Sequence, residues 1–188
     1  MIVYYAALSI DGRIAGPDHE LAFLQMLTGA ENDYLDFYGD VDSLIMGART
    51  WEFMLAHGSW PYAGKTTWIV THADELGPLE GAEPVERYAG ELAELVHLIR
   101  ERGHRRTWLV GGGDLAGQLL AEDLLDELIL TVAPTLLGRG PALADGEFPL
   151  RRFQLTRLER FGDDGVRLHY EREPIGGSSA RGRRSGRA

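Results

Sequence analysis

"TWLVGGGDLAGQLL", residues 107–120, sets three consecutive glycines between a short apolar run and a second, longer apolar stretch. Residues 107–110 predict a strand and residues 114–122 a helix, with Asp114 as its N-cap. A helix N-terminus offers unpaired N–H groups and the positive end of its dipole, and glycine there lets a pyrophosphate approach the backbone. A helix packed tightly on its strand also demands small residues. The glycines alone leave both readings open, a phosphate cradle and a packing turn.

Outward from this unit the same alternation recurs, with short runs rich in Val, Ile, Leu and Trp followed by helical patterns. Strands are predicted at 2–8, 43–46, 66–71, 84–88, 107–110 and 126–133. Helices are predicted at 30–39, with Tyr34, Leu35 and Tyr38 on one face, and from Arg49, with Trp51, Met54 and Leu55 inward. The clearest helix spans 91–102 and carries Leu92, Leu95, Val96 and Ile99 on one stripe. The last part differs: "FQLTRLERF" and "VRLHYER" flank the turn "GDDG" and predict a hairpin. Val166, Leu168 and Tyr170 alternate cleanly in its second arm, whereas the first arm changes parity between Leu155 and Leu158, as a bulge or edge twist would require. The predicted fold class is α/β, a mostly parallel, doubly wound sheet closed by a C-terminal antiparallel hairpin.

Composition narrows the functional classes. The absence of cysteine removes disulfides, thiolate metal sites and cysteine nucleophiles, and the six histidines show no paired-ligand spacing, so no metal site is expected. No stretch approaches the roughly 20 apolar residues of a membrane span, and a cytoplasmic chain is expected. The net charge of −10 conceals an asymmetry: residues 173–188 hold four arginines against Glu173, leaving 15 basic and 28 acidic residues in the body. So acidic a body argues against nucleic-acid binding. The Gly-, Ser- and Arg-rich segment 173–188 has little to bury and is expected to be a disordered basic tail behind one domain, 1–172.

In a doubly wound sheet, ligands bind where the carboxyl ends of the parallel strands meet the reversal of strand order. That rule selects the loops 9–22, 47–50, 71–74, 111–114 and 134–140. Within "LIMGARTWE", 44–52, Gly47 permits a close turn and Arg49 and Thr50 open a helix, a combination able to hold a phosphate. Thr71 and His72 add a hydroxyl and an imidazole at the same edge, groups able to meet a ribose 2′-phosphate but by themselves a weak signal. Other motifs fail: the spacing Gly111, Gly113, Gly117 is not a Rossmann fingerprint, and Gly64-Lys65-Thr66 follows Ser59 where a P-loop needs glycine. A G-x-S-x-G nucleophile elbow is absent.

Taken in order, "YYAALSIDGRIAG", "LIMGARTWE", "WIVTH", "WLVGGGDLAGQLL" and "LDELILTVAPTLLGRG" resemble the dihydrofolate reductase-like family, a three-layer sandwich. Within it they are most similar to the reductase domain of riboflavin biosynthesis, over about residues 2–172. The resemblance implies NADPH as cofactor and hydride transfer to a small nitrogen heterocycle, a pteridine or ribosylaminopyrimidine-like molecule. It places the backbone of Ala7 against the nicotinamide carboxamide and Asp11 and Ile14 in the loop covering that ring. It gives the phosphates to Gly47, Arg49 and Thr50, the adenosine end to Thr71 and His72, and the pyrophosphate to Gly111, Gly112 and Gly113 beside Asp114.

The pattern is not matched everywhere. The arginine that follows glycine in the family's "MGRxTWE" segment is Ala48 here, so the charge that selects NADPH would come from Arg49. The acid of the first helix that protonates substrate corresponds to Glu31 or Asp33, both of which are also ordinary first-turn acids. The resemblance further implies a homodimer, with the C-terminal hairpin as the candidate contact. The expected activity is thus an NADPH-dependent reductase. A nucleotide-binding or regulatory protein of the same fold without turnover is the alternative, and an interaction protein using the arginine tail is a third reading.

Overall fold

In the computed structural model, which describes residues 1–28 and 31–173 and only the backbone of 31–33, each short apolar run becomes a strand. These are β1 (Ile2–Ser9), β2 (Ser43–Gly47), β3 (Thr66–Val70), β4 (Val85–Tyr88), β5 (Thr107–Gly111), β6 (Glu127–Ala133), β7 (Phe153–Phe161) and β8 (Gly165–Arg172). The helices are α1 (Glu31–Gly39), α2 (Ala48–His57), α3 (Leu92–Glu101) and α4 (Gly113–Ala121). One sheet orders the strands β4-β3-β2-β5-β1-β6-β8-β7. The first six strands in the chain are parallel, and β8 and β7 add antiparallel beyond β6.

Alternation along the strands divides the core into two layers. Ile2, Tyr4, Ile45, Trp68 and Leu109 face α3 and α4, whose stripe Leu92, Leu95, Val96, Ile99, Leu115 and Leu119 completes the first. Val3, Leu44, Met46, Ile69 and Trp108 point the other way, onto Phe37, Val41, Trp51 and Tyr62. The fold is therefore the expected three-layer α/β sandwich. Residues 174–188 lie outside the described residues, and with them nearly all of the expected tail.

Two sequence expectations are corrected. In α1 the buried stripe is Tyr34, Phe37 and Tyr38, with Leu35 63% exposed, because Tyr5 stacks on Phe37 at 4.1 Å and draws that side of the helix onto the sheet. The N-cap of α4 is Gly112 rather than Asp114, which sits in the first turn and makes no capping hydrogen bond. The hairpin forms as predicted, and its parity change is a register shift between Leu155 and Arg157.

Residues 137–145 form a strap that closes over the carboxyl end of the sheet. Ile14 N–H donates to Pro141 O at 3.0 Å, Leu143 N–H to Gly12 O at 3.1 Å and Asp145 N–H to Gly113 O at 3.0 Å. The approach to α4 is backbone to backbone: a Cβ on Gly113 would lie 2.3 Å from Ala142 O, and one on Gly117 only 1.7 Å from Asp145 O. Helix propensity alone would make Gly117→Ala stabilising by about 1 kcal/mol. The strap reverses that sign, and the substitution is expected to destabilise by about 1–3 kcal/mol, as overpacking does. Urea denaturation monitored by circular dichroism measures it.

Candidate active site

The carboxyl ends of β1, β2 and β5 meet where strand order reverses, since the chain passes from β1 to β2 and only later inserts β5 between them. Pairing of β2 with β5 skips Val110, so that Met46 faces Gly111. This irregularity brings Gly47, the N-cap of α2, beside Gly112, the N-cap of α4. A Cβ on Gly47 would lie 3.9 Å from Gly112 N, and a Cβ on Gly112 would meet only Thr50 Oγ1, at 3.8 Å. Two helix N-termini thus converge on a gap edged by glycine backbone and the Thr50 hydroxyl.

The three glycines serve different purposes. Gly111 has φ +153°, a conformation side-chain-bearing residues rarely adopt. Gly113 is small because the strap passes over it. Gly112 has φ −99° and ψ −170° and open space beside it, and a Cβ there would meet no packing neighbour other than Thr50 Oγ1. The residues present fit a bound pyrophosphate, with the first-turn N–H groups of α4 as donors.

Arg49 and Asp114 stand on the first turns of α2 and α4 and form an ion pair of 2.9 Å across this gap, both largely exposed. Thr71 is placed just past β3, where its Oγ1 accepts from Ala73 N–H at 3.1 Å and turns the chain out of the sheet; His72 beside it is exposed. Asp11 serves the loops. Its carboxylate accepts from Ser9 Oγ at 2.6 Å, Leu137 N–H at 3.0 Å and Gly138 N–H at 2.7 Å, pinning the first loop to the start of the strap. Ile14 is held in the same junction through its N–H to Pro141 O.

At β1, the strand beside β5, and at β6 and β8 beyond it, lies a cavity of ≈ 180 Å³ lined by Tyr5, Ala7, Leu24, Leu27, Thr131, Phe161 and Arg167. Ala7, the expected nicotinamide neighbour, is therefore part of its wall. Leu24 and Leu27 come from a short 3-10 helix (Ala22–Met26) and the residue after it. Arg167, Thr131 and Phe161 were not anticipated. Thr131 and Arg167 are buried, and they stand opposite one another in the pairing of β6 with β8. Trp60 and Tyr62 pack edge to face at 5.2 Å, with Tyr62 in the second core layer and Trp60 against it. Glu31 and Asp33 occupy the first turn of α1, just before Tyr34, whose ring lies 6.5 Å from that of Tyr5; their side chains are outside the described residues.

The hydrogen bonds to Asp11, first from Ser9 and then from Leu137 N–H, pull its carboxyl from 3.8 down to about 2. Only the anion can accept all three, so the clamp is complete above pH 3.8 and is lost as pH falls through about 2. A carboxyl-detected NMR titration should place the Asp11 midpoint well below 3.8. Asp11→Ala should also speed amide exchange at Leu137 and Gly138.

Comparison with known proteins agrees with this geometry. The model of the RibD C-terminal domain matches residues 59–166. The chain is 33% identical over 172 residues to the uncharacterized protein YwjB of Bacillus subtilis, covering 90% of this chain and 97% of that one. It is 32% identical over 75 residues to the 2,5-diamino-6-ribosylamino-4(3H)-pyrimidinone 5′-phosphate reductase of Archaeoglobus fulgidus, covering 39% of this chain and 34% of that one. Among solved structures, a putative riboflavin biosynthesis protein from Shewanella sp. PV-4 superposes with a TM-score of 0.84 at 26% identity, over 92% of this chain and 99% of that one. Dihydrofolate reductase from Enterococcus faecalis, complexed with NADP(H), shares the fold at TM-score 0.63 and 17% identity, over 93% and 97%. The two glycine-edged helix ends, the central β5 and the cavity beside β1 thus belong to a dihydrofolate reductase-like fold, and the chain is a member of the RibD C-terminal domain family.

Proposed function

We propose that this protein is an NADPH-dependent reductase acting on a small nitrogen heterocycle of the pteridine or ribosylaminopyrimidine kind. The observation that carries the reading is Gly112: a helix N-cap with unfilled space beside it, facing Gly47 and Thr50, in a chain with an apolar cavity at β1, β6 and β8. Membership of the RibD C-terminal domain family supports it.

NADPH when bound supplies the hydride, and the chain supplies orientation, a proton and exclusion of water. Gly111, Gly112 and Gly113 with the first turn of α4 would hold the pyrophosphate, and Thr50 the adjoining oxygens. Arg49, on the first turn of α2, would reach the 2′-phosphate, and Thr71 and His72 would flank the adenosine. Ala7, in the cavity wall, would present its backbone to the carboxamide. Asp11 and Ile14 fix the covering loop, and Leu24 and Leu27 line the cavity with hydrocarbon. Glu31 or Asp33, in the first turn of α1, delivers the proton to the reduced atom.

Titration of NADPH followed by nicotinamide fluorescence, then addition of pterin and pyrimidine candidates, tests the reading. Gly112→Val should abolish NADPH binding with the fold intact, and Arg49→Ala should weaken NADPH at least about tenfold more than NADH. Equal loss for both cofactors removes Arg49 from the 2′-phosphate. Tight binding without oxidation of NADPH by any candidate would instead mark a binding protein.

The homodimer is proposed on the outer face of the hairpin, where Leu155, Leu158 and Val166 are 44%, 63% and 37% exposed. Their partners across the β7–β8 pairing, Tyr170, Leu168 and Arg160, place the three on one face. Leu158→Glu should convert the dimer to a monomer in light scattering after size exclusion; an unchanged mass excludes this face.

A further inference from the structure

We propose that Asp114 is a specificity-determining residue of the cofactor seat: its carboxylate holds the Arg49 guanidinium and competes for it with a 2′-phosphate, so that the chain distinguishes NADPH from NADH less sharply than Arg49 alone would. The proposal rests on the reductase reading for placing a dinucleotide at this seat.

Arg49 and Asp114 occupy matching places. Each is the second residue after its helix's N-cap, Gly47 in α2 and Gly112 in α4. The two helix starts lie so close that a Cβ on Gly47 would stand 3.8 Å from Leu115 Cβ. Ala116 N–H donates to Gly112 O at 3.1 Å and closes the first turn of α4, so the N–H groups ahead of it have no acceptor within the helix. An anion is favoured between two such ends. The anion that the chain itself supplies there is Asp114, whose Oδ2 lies 2.9 Å from Arg49 Nη1.

A carboxylate in the first turn favours its own helix, which accounts for an acid at position 114 but not for its reach to an arginine on another helix. The side chains are 70% and 51% exposed, and a pair so open to water adds little to the stability of the fold. Its consequence lies in what Arg49 can still bind. A 2′-phosphate approaching Arg49 meets a donor already engaged and a like charge beside it. NADH lacks that phosphate and does not call on Arg49; it meets only the repulsion between Asp114 and its pyrophosphate. Loss of the carboxylate therefore favours NADPH over NADH, by a few-fold, since solvent and salt screen both groups.

The test uses the adenosine end alone and is independent of turnover. Binding of adenosine 2′,5′-bisphosphate and of adenosine 5′-monophosphate is measured by calorimetry at about pH 8, above the second phosphate pKa of about 6. Asp114→Asn should bind the bisphosphate at least about threefold more tightly than wild type, with a smaller gain for the monophosphate. That difference should shrink between about 20 mM and about 0.5 M salt. It should vanish in an Arg49→Ala background, because Asp114 acts on the 2′-phosphate through Arg49. Asp114→Ser removes the same charge and should repeat the result, and a thermal melt checks the fold of both variants. An unchanged or weakened bisphosphate affinity, an equal gain for both nucleotides, a difference that persists without Arg49, or binding of neither nucleotide would each overturn the proposal. A chain that shows the gain yet oxidises NADPH with no heterocycle fails the reductase reading alone. One that oxidises NADPH but keeps wild-type selectivity in Asp114→Asn fails this proposal alone.

Discussion

The contact on which the rest depends is the meeting of the strap with α4, where two backbones touch at Gly113 and Gly117 without an intervening side chain. Because the strap lies so low, its Pro141 and Leu143 can pair with Ile14 and Gly12, and Asp11 can reach Leu137 and Gly138. The first loop is therefore set by a segment more than 120 residues away along the chain. Remove the two small residues of α4 and the loop over the sheet's mouth loses its support.

This constraint also explains how one glycine cluster both packs against the strap and leaves an open seat. Gly113 faces the strap, Gly111 takes a backbone conformation open to few residues, and Gly112 between them faces open space. The seat exists because its neighbours are occupied. Across it, Arg49 and Asp114 neutralise one another, so the positive end of α4 is not opposed by an unpaired carboxylate. Anion affinity at such a point comes chiefly from fixed N–H groups, which require no reorganisation when charge arrives.

Much of this was legible in the sequence, for a physical reason. Parallel strands buried on both faces need short, near-continuous apolar runs, and the α3 stripe Leu92, Leu95, Val96 and Ile99 is unambiguous at period 3.6. Periodicity failed where tertiary contacts chose among competing stripes, as in α1, where stacking on Tyr5 favoured Phe37 over Leu35. The candidate cofactor segments were readable because strand ends are marked by glycine. The cavity was not, because its residues come from β1, β6, β7, β8 and a single 3-10 turn. Arg167 was hidden by its neighbours: Val166, Leu168 and Tyr170 alternate so cleanly that their face looks like the inner one. In fact Val166 is exposed and the buried residue beside it is the arginine, which reaches Tyr5 OH.

The outermost strand has a consequence for growth as well as for association. An edge strand offers a row of unpaired N–H and C=O groups, a template on which further chains could add. Here the register shift near Thr156 bends β7, and Arg157, Glu159 and Arg160 place charge along it. Sheet extension is thereby discouraged while the apolar face of the hairpin remains available. Copies meeting face to face would use the same patch on both sides and stop at two, whereas copies adding edge to edge could continue without limit. The bulge that reconciles Leu155 with Leu158 on one face thus also favours a closed assembly over an open-ended one.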